Sequence, residues 1–279
     1  PTQLLKGTQD VLVIKSGEFE QLPESPSKSM ISLLFNGSSS GSLYIYTHSL
    51  PDDISNDLID SSIKGFKIPR SGHANRTSGT SEEVPVGPIG VFKNGVIAYS
   101  YKTTEPSNSY LGAGNYNHNM YAVSYKDACN GQAIEVESLA SGSVPEKTYV
   151  YRAAPTCLYD TGNSTAHSPL LGYAIDGYPI YGPYGYTSAM DSSSTPKLMT
   201  PSYRLKPLAS RPNGPPYGGS YSSGVFLEDY EYVNGLGDLD EFNGRICKTP
   251  EYPTGTYAYF TTVTTGSNGI HTPAFPYII

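Results

Sequence analysis

The chain has 279 residues, including 29 glycines and 23 prolines, with 15% charged residues and a formal net charge of −7 at pH 7. Helical bundles and coiled coils need Ala, Glu, Lys and Leu in helical period with few breakers, so this composition argues against both and favours an all-β chain with many tight turns. Acidity without a basic stripe argues against nucleic-acid binding, and no apolar run of about 18 residues predicts a membrane span.

The N-terminal part of the chain predicts a small β region. Residues 9–14 form an apolar run of β-forming residues. Residues 30–35 and 43–46 are two further apolar runs on either side of a Gly/Ser stretch, which predicts a hairpin with a flexible turn. The apolar run at residues 10–14 is also a candidate assembly arm, because an extended segment can add a strand to the sheet of a neighbouring subunit.

One short helix is predicted, around residues 55–63. Residues 69–84 are polar and rich in Ser, Thr and Gly, which is typical of a linker or an exposed loop. We therefore divide the chain into an N-terminal β region or assembly arm with its linker, residues 1–84, and a second domain, residues 85–279.

The second domain carries several strand and turn patterns. Asn94-Gly95 lies between two apolar runs, which is a strong signal for a hairpin. Residues 148–152 and 257–263 alternate between faces and predict strands. Residues 187–224 are rich in Ser, Pro and Gly and predict an ordered system of surface loops, and no repeat of fixed period is visible. The architecture expected is a twisted sheet or sandwich with long loops rich in Gly, Pro and Tyr.

Several sequence blocks of the second domain resemble the YHYH domain family. Two of them are long and specific: Tyr149 to Leu158, which contains Ala-Ala-Pro, and His167 to Gly185, which contains His-Ser-Pro and Tyr-Gly-Pro. The blocks that agree with them in order are residues 87–96, 127–131, 240–245 and 249–260. The resemblance covers about residues 85–279, and it implies a fold and a bacterial or phage setting rather than a reaction.

The chain departs from this family at the residues that give the family its name. A Tyr-His-Tyr-His run is expected before Ala-Ala-Pro, but Val150 and Arg152 replace both histidines. A further family histidine, expected after Asn130-Gly131, is replaced by Gln132. Metal or proton chemistry that depends on these imidazoles is therefore not expected here, and we predict no catalytic residue.

Two of the three cysteines lie in blocks that match the family. Cys129 and Cys157 flank a variable insert, and the strand at residues 148–152 can bring them together. We predict a Cys129–Cys157 disulfide, with two buried free thiols as the alternative, and Cys247 is left free. In the chain-entropy model, the loop closed by this bond stabilises the folded state by about 3 kcal/mol.

Three triplets match the acceptor pattern for N-glycosylation, at Asn36, Asn75 and Asn163. A chain rich in Ser, Thr and Asn also produces such triplets by chance. Together with the cysteines they favour an extracellular, cell-surface or virion location. The chain begins at Pro1, which we interpret as a processed product or a fragment.

A cluster of oxygen-bearing side chains is the best candidate for a metal site. Its members are Asp238, Asp240, Glu241 and Asn243. Carboxylate and amide oxygens are ligands that calcium prefers, although the spacing does not match an EF-hand loop. The alternative interpretation is a solvated acidic turn.

Two further residues are candidates for a ligand or for proton transfer. His167 precedes Ser-Pro in a turn, and Asp176 precedes a glycine in a tight turn. A lone histidine in a turn is more often a structural hydrogen-bonding group, and Asp-Gly is also a common turn sequence. Turn formation is therefore the alternative for both.

The chain has 25 tyrosines, and several lie in Gly- and Pro-rich segments. Tyrosine with Gly, Ser and Asn is typical of recognition surfaces, and aromatic rings stack on sugars. The candidate binding surface consists of Tyr178, Tyr181, Tyr184, Tyr217 and Tyr221. The alternative is that these rings pack the loops within the fold.

Three functions follow from these features. The first is a non-catalytic structural subunit of an extracellular filament or of a virion or tail assembly, which associates with copies of itself through β-strands and Tyr-rich surfaces. The second is a secreted module that binds carbohydrate or calcium. The third is a metal-dependent enzyme such as a hydrolase, which is the least favoured because no nucleophile elbow, P-loop or dinucleotide fingerprint is present.

Overall fold

The structure is a computed structural model. The residues it describes are 12–13, 32–35, 42–47, 49, 64–69, 84–102, 109–110, 116–136, 146–159, 165–207, 211–212, 214–218, 221–267 and 269–279. The strands are β1 (Leu12–Val13), β2 (Ser32–Phe35), β3 (Ser42–Thr47), β4 (Lys64–Pro69), β5 (Pro88–Phe92), β6 (Ile97–Tyr99), β7 (Ser109–Tyr110), β8 (Tyr116–Asn117), β9 (Gly131–Val136), β10 (Glu146–Tyr151), β11 (Leu170–Ala174), β12 (Pro179–Tyr181), β13 (Tyr184–Tyr186), β14 (Pro196–Leu198), β15 (Tyr203–Leu205), β16 (Tyr230–Tyr232), β17 (Gly244–Cys247), β18 (Thr256–Phe260), β19 (Val263–Thr265) and β20 (His271–Pro273).

The prediction of an all-β fold is confirmed, because strands dominate the described part of the chain. The helices described there are α1 (Met120–Val123) and two 3-10 turns, Thr156–Leu158 and Leu227–Asp229. None of the three was predicted. The helix predicted around residues 55–63 lies outside the described residues.

The centre of the molecule is an eight-stranded mixed sheet with the order β17-β18-β12-β11-β5-β6-β10-β9. The pairs β12–β18 and β6–β10 are parallel, and the other neighbours are antiparallel. Two tight hairpins, β5–β6 and β11–β12, stand next to each other in the middle. The predicted hairpin at Asn94-Gly95 is confirmed as β5–β6.

A second, four-stranded sheet has the order β1-β2-β3-β4. The predicted hairpin of the N-terminal region is confirmed as the antiparallel pair β2–β3. Only two residues of the predicted first strand, Leu12 and Val13, are described, and they pair in parallel with β2.

Residues before the predicted boundary at 84 contact the large sheet. Thr47 donates its hydroxyl to the carbonyl of Gly95 at 2.5 Å. The Ser49 hydroxyl accepts the N–H of Ile97 at 3.0 Å and donates to the carbonyl of Tyr149 at 2.5 Å. The division at residue 84 therefore stays a prediction, and these hydrogen bonds cross it.

The large sheet consists of two copies of one four-stranded unit. Unit one is β5-β6-β10-β9 and unit two is β11-β12-β18-β17, and the units meet where β5 pairs antiparallel with β11. Gly172 pairs with Phe92 and Ala174 pairs with Gly90, so the register is symmetric about the middle of the seam. A pseudo-twofold axis therefore runs through the centre of the sheet and relates the two outer edges, β9 and β17.

The hairpin turns of the two units agree in detail. Gly95 and Gly177 have φ of 82° and 92°, a conformation that glycine adopts without steric cost. The side-chain Oδ1 of Asn94 accepts the N–H two residues further on at 3.2 Å, and Asp176 does the same at 3.2 Å. The same turn chemistry therefore closes both hairpins.

One face of the sheet carries an aromatic core to which tyrosines contribute most of the large rings. Tyr149, Tyr151 and Tyr259 are buried on this face. The chain end packs there as well, since Phe275 stacks on Tyr230 with ring centroids 4.1 Å apart.

Candidate functional site

The outer strand of unit one begins with a loop that is organised by one carboxylate. Asp127 Oδ1 accepts the N–H groups of Cys129 and Gly131, both at 2.8 Å, and Oδ2 accepts the Tyr149 hydroxyl. Asn130 adopts the left-handed conformation with φ of 65°. Burial, together with the bond to Asp127, raises the pKa of Tyr149, so the phenol keeps its proton.

The outer strand of unit two begins with the same loop. Asp240 Oδ1 accepts the N–H groups of Phe242 at 2.9 Å and Gly244 at 3.0 Å, and Oδ2 accepts the Tyr257 hydroxyl at 2.7 Å. Asn243 has φ of 60°. The shared sequence is Asp-x-x-Asn-Gly, and its shared role is to start an edge strand.

This loop contains part of the predicted calcium site. Both carboxylate oxygens of Asp240 already accept protein hydrogen bonds. The backbone carbonyl of Glu241 accepts the Tyr203 hydroxyl at 3.1 Å. Asn243 Nδ2 donates to the carbonyl of Phe260 at 2.8 Å.

The fourth predicted ligand, Asp238, is also engaged. It pairs with Lys197 at 2.6 Å and accepts the N–H and the hydroxyl of Thr200 at 3.0 and 2.8 Å. Burial raises the pKa of Asp238, but the bonds to Lys197 and Thr200 outweigh it and leave the pKa below its usual value. Within the ranges that the structure describes, no three His, Cys, Asp or Glu side chains are grouped so that they could hold a metal ion. The calcium site stays a prediction that the geometry does not support.

His167 and Asp176 have contacts that fit the structural alternative. His167 Nδ1 lies 2.8 Å from the carbonyl of Ser168, and its ring packs 5.0 Å from the Tyr181 ring. Burial lowers the pKa of His167. Asp176 closes the β11–β12 turn and accepts the Tyr259 hydroxyl at 2.6 Å.

The predicted disulfide is confirmed. Cys129 and Cys157 are bonded, with their Cα atoms 5.3 Å apart. The bond ties the Asp127 loop to the 3-10 turn that follows β10, and so anchors the start of β9. Cys247 is free and buried.

The predicted tyrosine surface is wrong at two positions. Tyr181 is 0% exposed and Tyr184 is 7% exposed, because both lie in or beside the central sheet and pack into its cores. Tyr178 is half-buried against the Tyr257 ring. Packing within the fold, the alternative interpretation, accounts for these three rings.

The other two members of the predicted surface are half-buried as well. The Tyr217 ring lies 4.1 Å from the guanidinium of Arg211, and Tyr221 stacks on Phe226. The three predicted glycosylation sites, Asn36, Asn75 and Asn163, lie outside the described residues.

The three positions at which family histidines are replaced come together in space. Val150 lies directly opposite Gln132 in the β9–β10 ladder. Arg152 Nε donates to Gln132 Oε1 at 3.2 Å, and Nη1 donates to the carbonyl of Ser100. The guanidinium also lies 4.8 Å from the centre of the Tyr99 ring. The sequence places these residues far apart, and the pairing of β9 with β10 unites them.

This cluster is electrostatically unbalanced. Arg152 is 6% exposed, and among the described residues no carboxylate pairs with it. Burial lowers the pKa of Arg152 to about 10, so the guanidinium still carries its charge at neutral pH. Gln132 Nε2 and Thr148 Oγ1 are buried polar atoms for which the described part of the chain supplies no hydrogen-bond partner. Sequence reasoning missed Thr148, because a threonine in a strand carries no signal of its own.

The equivalent position in unit two is filled differently. Register equates Arg152 with Phe260, Gln132 with Arg245, and Tyr99 with Tyr181. Phe260 is fully buried and stacks on Tyr181 with centroids 5.8 Å apart. The same backbone framework therefore accepts an uncharged aromatic ring where unit one holds a guanidinium.

The outer edge of β9 presents backbone groups that have no partner among the described residues. Gly131 accepts the N–H of Asp127 at 2.9 Å with its carbonyl, so its backbone groups point away from β10. Because these directions alternate in an antiparallel ladder, the backbone groups of Ala133 and Glu135 also point outward. Both residues are exposed, and in the described part of the chain their outward groups have no partner.

The opposite edge of the sheet, β17, is largely closed. The outward groups of Gly244 are bonded to Asp240, and the N–H of Lys248 donates to the carbonyl of Ala189 at 2.8 Å. Between them only Ile246 faces outward, and its side chain is exposed. The two symmetry-related edges therefore differ: Ala133 and Glu135 present outward backbone groups without a partner among the described residues at β9, whereas Ile246 alone does so at β17, between two bonded positions.

A mixed β-sheet with an Asp-x-x-Asn-Gly loop at each edge defines the architecture. The chain belongs to the YHYH protein family, whose model matches residues 65–268. Comparison with curated proteins and with solved structures gives no match. In the described residues, none of the helices has the length and apolar character needed to cross a membrane.

Proposed function

We propose that this protein is a non-catalytic structural subunit of an extracellular filament or of a virion or tail assembly, and that its copies join by β-strand addition. The observation that supports this proposal is the outer edge of β9, where Ala133 and Glu135 are exposed and their outward backbone groups have no partner among the residues that the structure describes. Unpaired edges recruit strands from other chains unless they are covered or interrupted.

The donor in this proposal is the apolar run at residues 10–14. Its described part, Leu12–Val13, makes only a two-residue parallel ladder with β2. If this segment leaves β2 and forms a longer ladder with β9 of a neighbouring subunit, it gives up few hydrogen bonds. Donor and acceptor are different surfaces of the same chain, so the contact is heterologous and propagates into an open chain of subunits.

The disulfide fits this role. It holds the start of β9 in place, and an acceptor edge that is already ordered loses less conformational entropy on binding. Disulfides also persist in oxidising surroundings outside the cell.

Proline substitution tests the acceptor edge. Ala133→Pro removes an outward N–H without removing a bond of the β9–β10 ladder, because proline is tolerated where its missing N–H faces solvent. The matched control is Ile246→Pro, at the equivalent outward position of β17. We expect the wild type and I246P to form filaments or large regular particles by electron microscopy and light scattering, and A133P to stay monomeric.

Deletion of residues 1–15 tests the donor. We expect this variant to be monomeric alone. At the end of a preformed wild-type assembly that carries a free N-terminal arm, its β9 edge accepts that arm, and growth stops there because the variant has no arm of its own. Assembly of A133P at the wild-type rate, or a wild-type protein that is monomeric at all concentrations, contradicts the proposal.

A further inference from the structure

We propose that Arg152, Gln132 and Thr148 form a buried binding site for a small oxyanion, the kind of group that a carboxylate, phosphate or sulfate presents. The site lies between β6, β10 and β9, on the face of the sheet opposite the aromatic core.

The first argument is the unpaired charge of Arg152. Its recorded partners are the neutral oxygens of Ser100 and Gln132 and the ring of Tyr99. Buried charges are normally paired, because removing an ion from water is costly. Arg211, the other buried arginine among the described residues, follows that rule: it forms two hydrogen bonds with Asp229, at 2.7 and 2.8 Å.

The second argument is an excess of buried donors around this charge. The Arg152 N–H bond fixes the orientation of the Gln132 amide, because only its oxygen can accept. The Gln132 NH₂ group is therefore a donor, and it has no partner in the described ranges although Gln132 is only 5% exposed. Thr148 is 1% exposed, and no described residue forms a hydrogen bond with its hydroxyl.

The register places the three side chains on one face. Val150 lies opposite Gln132, Thr148 is two residues before Val150 in β10, and Arg152 directly follows the end of this strand, two residues after Val150. Alternate residues of a strand share a face, and diagonal neighbours across strands lie within reach of each other. Gln132 is therefore the diagonal neighbour of both Thr148 and Arg152. A guanidinium and an amide NH₂ group only donate hydrogen bonds and a hydroxyl can donate one, so this set matches the acceptor oxygens of an anion.

The third argument comes from the second unit. Phe260 occupies the position equivalent to Arg152 and packs on Tyr181 as Arg152 packs on Tyr99. The fold is therefore satisfied by an uncharged ring at this place. The guanidinium of unit two belongs to Arg245, at the position equivalent to Gln132, and this half-buried side chain lies 5.4 Å from the centre of the Phe260 ring. Packing alone thus gives no reason for the full burial of the Arg152 guanidinium. An anionic ligand gives that reason, because it compensates the charge.

Binding is measured with the intact protein by isothermal titration calorimetry and thermal unfolding. The probes are sodium phosphate, sodium sulfate and sodium acetate, each compared with sodium chloride at equal ionic strength. We expect at least one oxyanion to raise the melting temperature above the chloride reference and to bind with a stoichiometry of one. Comparison of the three arms assigns the site to a tetrahedral anion or to a carboxylate.

The variant that tests the site is Arg152→Phe, which copies the second unit and is therefore expected to fold. We expect its affinity for the oxyanion to fall at least tenfold, while Arg204→Met, at an exposed arginine, leaves the affinity unchanged. Thr148→Val removes one donor at constant shape, and we expect it to weaken binding about threefold to tenfold.

Two results would overturn the proposal. One is a wild-type protein that no oxyanion stabilises above chloride. The other is unchanged affinity in R152F, or, if R152F does not fold, unchanged affinity in both T148V and Gln132→Leu.

Discussion

The buried arginine Arg211 is paired with a carboxylate, whereas Arg152 has no such partner among the described residues. Arg211 and Asp229 have side-chain exposures of 0% and 1%, and they form a two-bond ion pair. Asp229 also accepts the N–H of Gly224 at 2.9 Å. Removing one partner of such a pair leaves a buried charge without compensation, which costs more than the pair contributes.

Asp229→Asn is therefore expected to lower the free energy of unfolding by about 3 to 5 kcal/mol. The matched control is Glu231→Gln, whose partner Arg204 is exposed; an exposed pair contributes less than about 1 kcal/mol. Urea unfolding measures both. Equal effects of the two substitutions would show that the Arg211 pair is not buried in solution.

The half-buried side chain of His167 gives a pH dependence with a defined sign. Burial lowers the pKa of His167 below its usual value of 6.5. The unfolded chain therefore binds a proton at a higher pH than the folded chain does. Stability from this group is complete above about pH 6.5 and is lost as the pH falls below that value towards the folded pKa.

We expect the free energy of unfolding of the wild type to decline between pH 7 and pH 5, and His167→Gln to show a shallower decline. His271 has a pKa that burial also lowers, so part of the slope remains in the variant. His118→Gln controls for substitution of a histidine outside this pair. Parallel slopes for the wild type and H167Q would contradict the prediction.

At the scale of elements, the seam between the two units depends on two glycines. A Cβ atom at Gly90 would lie 2.6 Å from the carbonyl oxygen of Tyr173, and one at Gly172 would lie 2.3 Å from that of Val91. Both obstacles are backbone atoms of the paired strand, so the strands must move apart to make room. The pseudo-symmetry predicts similar costs at both positions.

Gly90→Ala and Gly172→Ala are each expected to lower the free energy of unfolding by about 2 kcal/mol or more, as overpacking of a core does. Gly269→Ala is the control, since no atom lies within 4 Å of its Cβ position and its φ of 76° adds only the local backbone cost, about 1 kcal/mol. Thermal and urea unfolding report the difference. A loss at the seam no larger than that of G269A would mean that the strands separate easily.

At the scale of the whole molecule, the duplication creates two equivalent edges and the loops make them unequal. If β9 paired with β9 of a second copy, the contact would be isologous and would close as a dimer. If β9 accepts the N-terminal arm of another copy, each subunit can bind the next one and an open chain of subunits forms. The mass distribution in light scattering separates these outcomes: a sharp dimer excludes growth through the arm, and a concentration-dependent series of large species supports it.

The sequence alone determined the features that depend on neighbours along the chain. Glycine, proline and aromatic content set the all-β class, and Asn94-Gly95 set a hairpin turn, because the backbone conformation of a turn is fixed by its own residues. Motif blocks identified the family and, through it, the pairing of Cys129 with Cys157.

Only the tertiary structure decided the features that depend on strand pairing. The duplication was not visible as a repeat because its offset varies: 82 positions separate Gly90 from Gly172, and 113 separate Asp127 from Asp240. Insertions of different length between strands change the spacing in sequence but leave the register of the sheet unchanged. For the same reason, the union of Gln132 with Arg152, the burial of Tyr181 and the open edge at β9 follow from which strands lie side by side, and no local pattern specifies that.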